Sequence, residues 1–205
     1  MNTLADVVAD RLFPEVDIRL REGAHISRED HGRFEFLSQS FDVLLSFYER
    51  YGYDLHRAEA GFFYLRPLSG TRRRTMTIGE MLVGQTLALL YLDPRVFVTD
   101  RRVTRTAVRE TLDQLVGIEG LRTRLLQRNV RNQRAVAMEI RGEIDRSLRS
   151  LERLGFVQLE GEDRIELRSS LLRFTEVVRS SGDVTSALQR LVHEGELAAL
   201  VEEEP

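Results

Sequence analysis

The chain has 205 residues, of which 42% are hydrophobic and 31% charged, and its formal net charge is −3 at pH 7. This composition fits one large or two small globular domains, and no apolar run reaches the roughly 18 to 20 residues that span a bilayer. The sequence contains no cysteine and no lysine. It therefore excludes disulfides, thiolate nucleophiles, lysine Schiff bases and any phosphate loop that depends on a lysine.

The N-terminal third predicts helices followed by a hairpin. Apolar residues recur at helical spacing over residues 2–13, where Pro14 is expected to close the helix, and again over residues 34–51. Two short aromatic runs around a glycine-containing loop, residues 53–57 and 62–66, predict a β-hairpin. The acidic N-terminal segment lacks the basic start of a secretory signal, so we expect a cytoplasmic protein.

The best linker candidate is the polar stretch 69–75, which has no apolar residue and contains Arg72, Arg73 and Arg74 in succession. A domain boundary there gives a first domain at residues 1–70 and a second at 77–180. The acid-rich remainder, residues 181–205, is expected to be a loose tail.

The second domain repeats the order of the first. Thr77 and Glu80 form a capping box that opens a helix ending near residue 93. Helical periodicity then predicts helices at 104–116, 119–126 and 134–154, a second hairpin at 156–167, and a final helix at 170–178. Helices followed by a hairpin, twice over, predict a mainly α protein with small β-hairpin wings: two tandem winged-helix domains.

Residues able to carry catalysis are scattered. The four histidines, His25, His31, His56 and His193, show no spacing typical of a zinc site, and the serine pairs lie in cap or turn contexts without a nucleophile elbow. We therefore predict no catalytic residue, no metal site and no cofactor.

Two features stand out as candidate interaction surfaces. Alternation along the strand that follows Gly61 turns Phe62 and Tyr64 outward if Phe63 and Leu65 face the core. An exposed aromatic pair marks a partner surface, although packing against a neighbouring domain could bury the pair equally well.

The second feature is the helix at 134–154. At 100° per residue, its apolar residues share one face, while Arg146, Arg149 and Arg153 fall on the opposite pole. Exposed arginines are also ordinary on a solvated helix. This helix precedes the second hairpin, the place of a recognition helix, where arginines reach phosphate oxygens. The run Arg72 to Arg74 is a weaker second basic site, since a solvated linker explains it equally well.

Several stretches resemble the MukE family of kleisin-associated tandem winged-helix subunits. The block Gly61-Phe-Phe-Tyr-Leu-Arg-Pro67 is the most specific of them. The others are residues 12–14, 21–26, 48–51, 57–60, 83–84, 90–92 and 151–157, together with Phe174. One departure is the absence of lysine, which leaves any DNA contact to arginine.

The resemblance implies a non-enzymatic accessory subunit of a bacterial SMC-type, condensin-like complex. Such proteins form homodimers and bind a MukF-like kleisin. Through the kleisin they reach a MukB-like SMC ATPase, where they help to clamp DNA without sequence preference. The resemblance also implies that the protein is associated with the nucleoid and does not bind a membrane. Two alternatives remain open: a subunit of an MksBEF-like plasmid-defence complex, and a free-standing winged-helix transcription regulator.

Overall fold

The computed structural model describes residues 3–68, 74–126, 133–178 and 182–194. The chain forms two compact units. The first comprises Met1–Thr75, Arg153–Phe156 and Arg168–Ser170. The second comprises Met76–Glu152, Val157–Leu167 and Leu171–Pro205. Two short stretches from late in the chain therefore complete the first unit.

The first unit combines three helices with a three-stranded antiparallel sheet in the order β1-β3-β2. Its elements are α1 (Leu4–Ala9), α2 (Phe13–Arg21), β1 (Ile26–Ser27), α3 (His31–Glu49), β2 (Tyr53–Ala58) and β3 (Phe62–Pro67). The predicted hairpin is β2–β3, with Leu55 opposite Leu65. Leu37, Leu44 and Tyr48 on α3 are fully buried, because they occupy the face of the helix that packs into the core.

The expected role of Pro14 was wrong. Helix α1 ends at Ala9, and a separate helix, α2, begins at Phe13 with the proline in its first turn. Proline is favoured there because its missing N–H would have had no partner inside the helix. A proline that follows an apolar helical pattern can thus open the next helix as readily as it closes the previous one.

The late segments that belong to the first unit are held by backbone and hydroxyl hydrogen bonds. The His25 N–H donates to the Leu154 carbonyl at 2.8 Å, and the Ser170 hydroxyl donates to the Gly155 carbonyl at 2.6 Å. Gly155 has a φ of +75°, and an added Cβ would lie 2.0 Å from the His25 carbonyl oxygen. Only glycine fits this close approach of two backbones.

The second unit also carries a three-stranded antiparallel sheet, in the order β4-β6-β5. Apart from those late segments, it contains α4 (Ile78–Leu92), α5 (Pro94–Phe97), β4 (Arg102–Thr104), α6 (Arg105–Leu125), α7 (Gln133–Arg153), β5 (Val157–Glu160), β6 (Arg164–Leu167), a 3₁₀ helix (Ser169–Val178) and α8 (Val184–Glu194). The order strand, two helices, hairpin is that of a winged helix, and the mainly α fold with hairpin wings is confirmed.

Helix α4 is the centre of the second unit and begins where the sequence predicted. The Thr77 hydroxyl accepts from the Glu80 N–H at 3.1 Å, and the Glu80 carboxylate accepts from the Thr77 N–H at 2.8 Å, which completes the predicted capping box. Glu80 is 6% exposed and also accepts from the Ser150 hydroxyl at 2.5 Å. The cap thus ties the start of α4 to α7.

Two details of the second unit differ from the sequence prediction. The helices expected at 104–116 and 119–126 are the two halves of α6, separated at Gly117, whose φ of +71° is not helical. The region expected to be a loose tail from residue 181 contains α8, whose Leu188 and Val192 are fully buried against the unit. The remainder of that predicted tail, 181 and 195–205, lies outside the described residues.

Candidate nucleic-acid interface

Helix α7 follows α6 and precedes the β5–β6 hairpin, which is the chain position of a winged-helix recognition helix. Its inner face is fixed by four buried apolar side chains: Ile140, Ile144, Leu148 and Leu151. On its flank, the Asp145 carboxylate accepts from Arg105 at 3.1 Å and from Arg109 at 3.3 Å. Packing and ion pairing therefore fix the rotation of α7, and with it the direction of the opposite face.

The three arginines predicted on that opposite face, Arg146, Arg149 and Arg153, are all exposed. The side chain of Arg146 is 65% exposed and donates to the Glu143 carboxylate, with an Nε–Oε2 distance of 3.0 Å. Within the described part of the chain, Arg149 and Arg153 have no hydrogen-bonding or ion-pair partner. Their guanidinium groups are available to bidentate acceptors such as phosphate.

Two of the three arginines of the weaker basic site, in the linker, lie outside the described residues. Arg72 and Arg73 lie outside the described residues, while Arg74 is exposed. Another cation of α7, Arg141, was not among the predicted site residues, because it lies on the flank of the helix and not opposite its apolar face. Arg141 is exposed, without a hydrogen-bond or ion-pair partner among the described residues.

The hairpin that follows α7 has the opposite charge. At the β5–β6 turn, Glu162 and Asp163 are exposed. Glu160 lies 3.4 Å from Arg102, which partly neutralises it. Because carboxylates repel phosphate, this wing is a poorer surface for DNA than α7, although Arg164 beside its turn is also exposed.

Of the two alternatives left open for Phe62 and Tyr64, exposure as a partner surface and burial by packing, the structure shows burial. Their side chains are 1% and 8% exposed. His25 stacks on Tyr64 at a centroid distance of 5.3 Å and lies 5.8 Å from Phe62, while Phe156 lies 4.4 Å from the same imidazole. Within the first unit, His25 and His56 therefore lie against the strand face that alternation turns outward, and Phe156 packs on His25. Both faces of β3 are buried, and a direct partner contact by this pair stays only a prediction.

A groove of about 450 Å³ lies between α6 and α7. Its floor is apolar, formed by Leu121, Ile140 and Ile144, and Ile118 forms a lip that is 59% exposed. The volume falls within the roughly 300–1,000 Å³ typical of ligand pockets.

Two kinds of feature are absent from the described segments. No group of three or more histidine, cysteine, aspartate and glutamate side chains is arranged to hold a metal ion there. Nor does any helix in those segments combine the length and apolar character needed to cross a bilayer.

Two sheets of matching strand order, with an arginine-bearing helix ahead of the second hairpin, define a tandem winged-helix protein. Its sequence matches the MukE-like family model over residues 1–205. The chain belongs to the MukE family.

Named relatives align over nearly the whole chain. The chromosome partition protein MukE of Histophilus somni strain 2336 is 38% identical over 207 residues, covering 95% of this chain and 81% of the relative. The protein of the same name from Vibrio cholerae El Tor Inaba N16961 is 36% identical, covering 94% and 84%. That from Escherichia coli O6:H1 is 34% identical, covering 94% and 87%.

Proposed function

We propose that this protein is a non-enzymatic accessory subunit of a bacterial SMC-type complex that acts in chromosome partition and condensation. The observation that carries the proposal is membership of the MukE family over the full aligned chain, with relatives named for chromosome partition. The protein works in the cytoplasm at the nucleoid, as a homodimer. It binds a MukF-like kleisin and, through the kleisin, reaches a MukB-like SMC ATPase.

Within that complex, α7 supplies contacts to the DNA backbone. The support is geometric: the helix is rotated by its packing so that Arg149 and Arg153 face solvent, with no hydrogen-bond or ion-pair partner among the described residues. Arg146 pairs there with the flanking Glu143 carboxylate. Contacts of guanidinium groups with phosphates position a duplex but carry no sequence information. Binding is therefore sequence-indifferent and sensitive to salt.

Two other functions lead to different expectations. A subunit of an MksBEF-like plasmid-defence complex would also bind a kleisin and an SMC ATPase, but would act on plasmid DNA. A free-standing winged-helix regulator has a defined operator and base contacts in the major groove. The acidic tip of the second hairpin, at Glu162 and Asp163, disfavours that wing as a DNA contact and so favours the subunit over the regulator.

The partner proposal is tested by affinity purification of the tagged protein from its host, followed by identification of what is retained. We expect a kleisin and an SMC ATPase in stoichiometric amounts. Retention of neither, together with tight binding to one DNA sequence, would overturn the subunit and favour the regulator. ATP hydrolysis that stays with the pure chain through chromatography would contradict the non-enzymatic assignment.

The DNA proposal is tested by reversing charge at Arg146, Arg149 and Arg153 together, each to glutamate. Because these side chains would no longer neutralise phosphates, the affinity of the partner-loaded complex should fall equally for two unrelated duplexes. The dependence of log K on log salt should also flatten, by roughly 0.9 for each phosphate that is no longer neutralised. Kleisin binding should be unchanged.

A matched control is charge reversal at three exposed arginines on other helices or their ends, Arg11, Arg50 and Arg190. This variant changes the net charge by the same amount but leaves α7 intact. If both variants weaken DNA binding equally, the effect is one of overall charge, and α7 is an ordinary solvated surface.

A further inference from the structure

Arg146 differs from the other two arginines on the exposed face of α7, because a carboxylate lies beside it. Its Nε donates to Glu143 Oε2 at 3.0 Å, and its Nη2 donates to the same oxygen. Arg149 and Arg153 have no hydrogen-bond or ion-pair partner in the described part of the chain. The three arginines are therefore not equivalent as phosphate ligands.

Glu143 is held in place by the first turn of α4 as well as by Arg146. Its side chain is 23% exposed, whereas that of Arg146 is 65% exposed. A Cβ added at Gly79, the second residue of α4, would lie 3.1 Å from Glu143 Oε1. The N-terminus of a helix carries a partial positive charge, which favours a carboxylate at that position. The carboxylate therefore stays beside Arg146 when the arginine meets another anion.

A phosphate and the Glu143 carboxylate compete for the same donors of Arg146. The Nε and Nη groups along one edge of a guanidinium are those that bind a carboxylate or a phosphate with two parallel hydrogen bonds. Glu143 already accepts from both donors of that edge. A phosphate bound by the remaining N–H groups would lie roughly 7 Å from the carboxylate. Repulsion between unit charges at that distance in water weakens binding by up to about threefold.

We infer that Glu143 is a positioning residue that limits the DNA affinity of α7 by occupying the phosphate-binding edge of Arg146. The inference rests on the proposed contact between α7 and the DNA backbone. Arg149 and Arg153 supply the main phosphate contacts, while Glu143 offsets the charge of Arg146. The neighbouring acid, Asp145, is already paired with two arginines of α6 and lies on the flank of the helix.

The substitution Glu143→Gln tests the inference in the partner-loaded complex, because it removes the charge but keeps an acceptor oxygen in a side chain of the same shape. Affinity for two unrelated duplexes, measured by fluorescence anisotropy, should rise about two- to threefold at roughly 0.1 M salt. The dependence of log K on log salt should steepen by up to about 0.9, because Arg146 then neutralises a phosphate. A change that only altered the stability of α7 would not steepen it.

The matched control is Glu139→Gln, which changes the net charge by the same amount. Glu139 is exposed on the same face of α7, seven residues earlier, and has no ion-pair partner among the described residues. About 10 Å of helix separates it from Arg146, close to the Debye length at roughly 0.1 M salt, so its effect should be smaller. In an Arg146→Gln background, Glu143→Gln should raise the affinity no more than this control does.

Equal gains from Glu143→Gln and Glu139→Gln would overturn the inference, as would a lower affinity of Glu143→Gln, which would mean that the carboxylate orients Arg146 for DNA. Failure of the proposed DNA contact gives a different result. If reversing the three arginines lowers the affinity but Glu143→Gln does not raise it, the role of Glu143 alone is wrong. If neither variant changes the affinity, α7 does not contact DNA and both proposals are wrong.

Discussion

The substitution Gly155→Ala tests how the late segment of the chain completes the first unit. Gly155 has a φ of +75°, in the left-handed region, where an alanine costs roughly 1–2 kcal/mol. Its Cβ would lie 2.0 Å from the His25 carbonyl oxygen, so one of the two backbones must move by more than an ångström. That movement breaks the hydrogen bond from His25 to Leu154, which contributes about 0.5–1.5 kcal/mol.

It also disturbs the contact between the His25 and Phe156 rings, whose centroids are 4.4 Å apart; such a pair is worth about 0.5–1.5 kcal/mol. Together these effects lower the free energy of unfolding by roughly 2–5 kcal/mol. Urea unfolding followed by tyrosine fluorescence reports mainly on the first unit, because four of the five tyrosines lie in that unit and Tyr91 alone lies in the second.

The matched control is Gly23→Ala in the same unit. Gly23 has a φ of +86°, but a Cβ there meets only a leucine methyl at 4.0 Å, an ordinary contact. This variant should be destabilised only by the roughly 1–2 kcal/mol of backbone strain. If the free energy of unfolding of Gly155→Ala is no lower than that of Gly23→Ala, the close approach to His25 does not contribute to stability and the reasoning fails.

Three further predictions concern stability. Phe62→Ser should lower the free energy of unfolding by at least the roughly 3–5 kcal/mol expected of Phe→Ala, because the ring is buried; urea titration measures it. Asp145→Asn removes the negative charge that pairs with Arg105 and Arg109 but keeps an acceptor oxygen. For these half-buried pairs the loss should lie between that of an exposed and that of a buried pair, about 1–2 kcal/mol, and be smaller at high salt. Burial, and then the nearby Asp17 carboxylate, raise the pKa of the Tyr48 phenol. The unfolded chain therefore loses this proton first, above about pH 10, and stability falls with rising pH by up to about 1.4 kcal/mol per unit; Tyr48→Phe should remove that slope.

Each of these has an outcome that would contradict it. Unchanged stability of Phe62→Ser with weaker partner association would return that residue to a partner surface. Equal destabilisation by Asp145→Asn and by a control change at the exposed Asp163 would mean that the pairing to α6 contributes nothing. An alkaline slope retained in Tyr48→Phe would assign the titration to another group.

The sequence predicted the features that depend on local pattern. The capping box at Thr77 and the hairpins have signals within a few residues, and the rotation of α7 follows from its apolar period. What it missed depends on residues far apart. Alternation along β3 gives two faces but does not show what covers each face. Phe62 lies against His25, and His25 lies in turn against Phe156, more than ninety positions after Phe62. The short strands β1 and β4 have too few residues for any periodicity and exist because each pairs with a hairpin strand.

The groove could not be foreseen either, for the same reason. Its walls are two helices whose separation depends on tertiary packing, and the break at Gly117 shifts the register of α6 by an amount that no spacing rule gives. That Arg149 has no partner in the described part of the chain could not be predicted either, because the sequence shows a cation but not whether a carboxylate reaches it.

The membership of residues 153–156 and 168–170 in the first unit has a consequence for biosynthesis. A ribosome that has delivered residues 1–75 has not yet delivered the segments that complete this unit, and at 5–20 residues per second it needs roughly 5–20 s more to do so. During that interval the cluster of His25, Phe62 and Tyr64 lacks the Phe156 ring that packs on His25. A fragment ending at residue 75 should therefore leave this cluster incomplete and be less stable than the whole chain, so fragments for study should extend through residue 170.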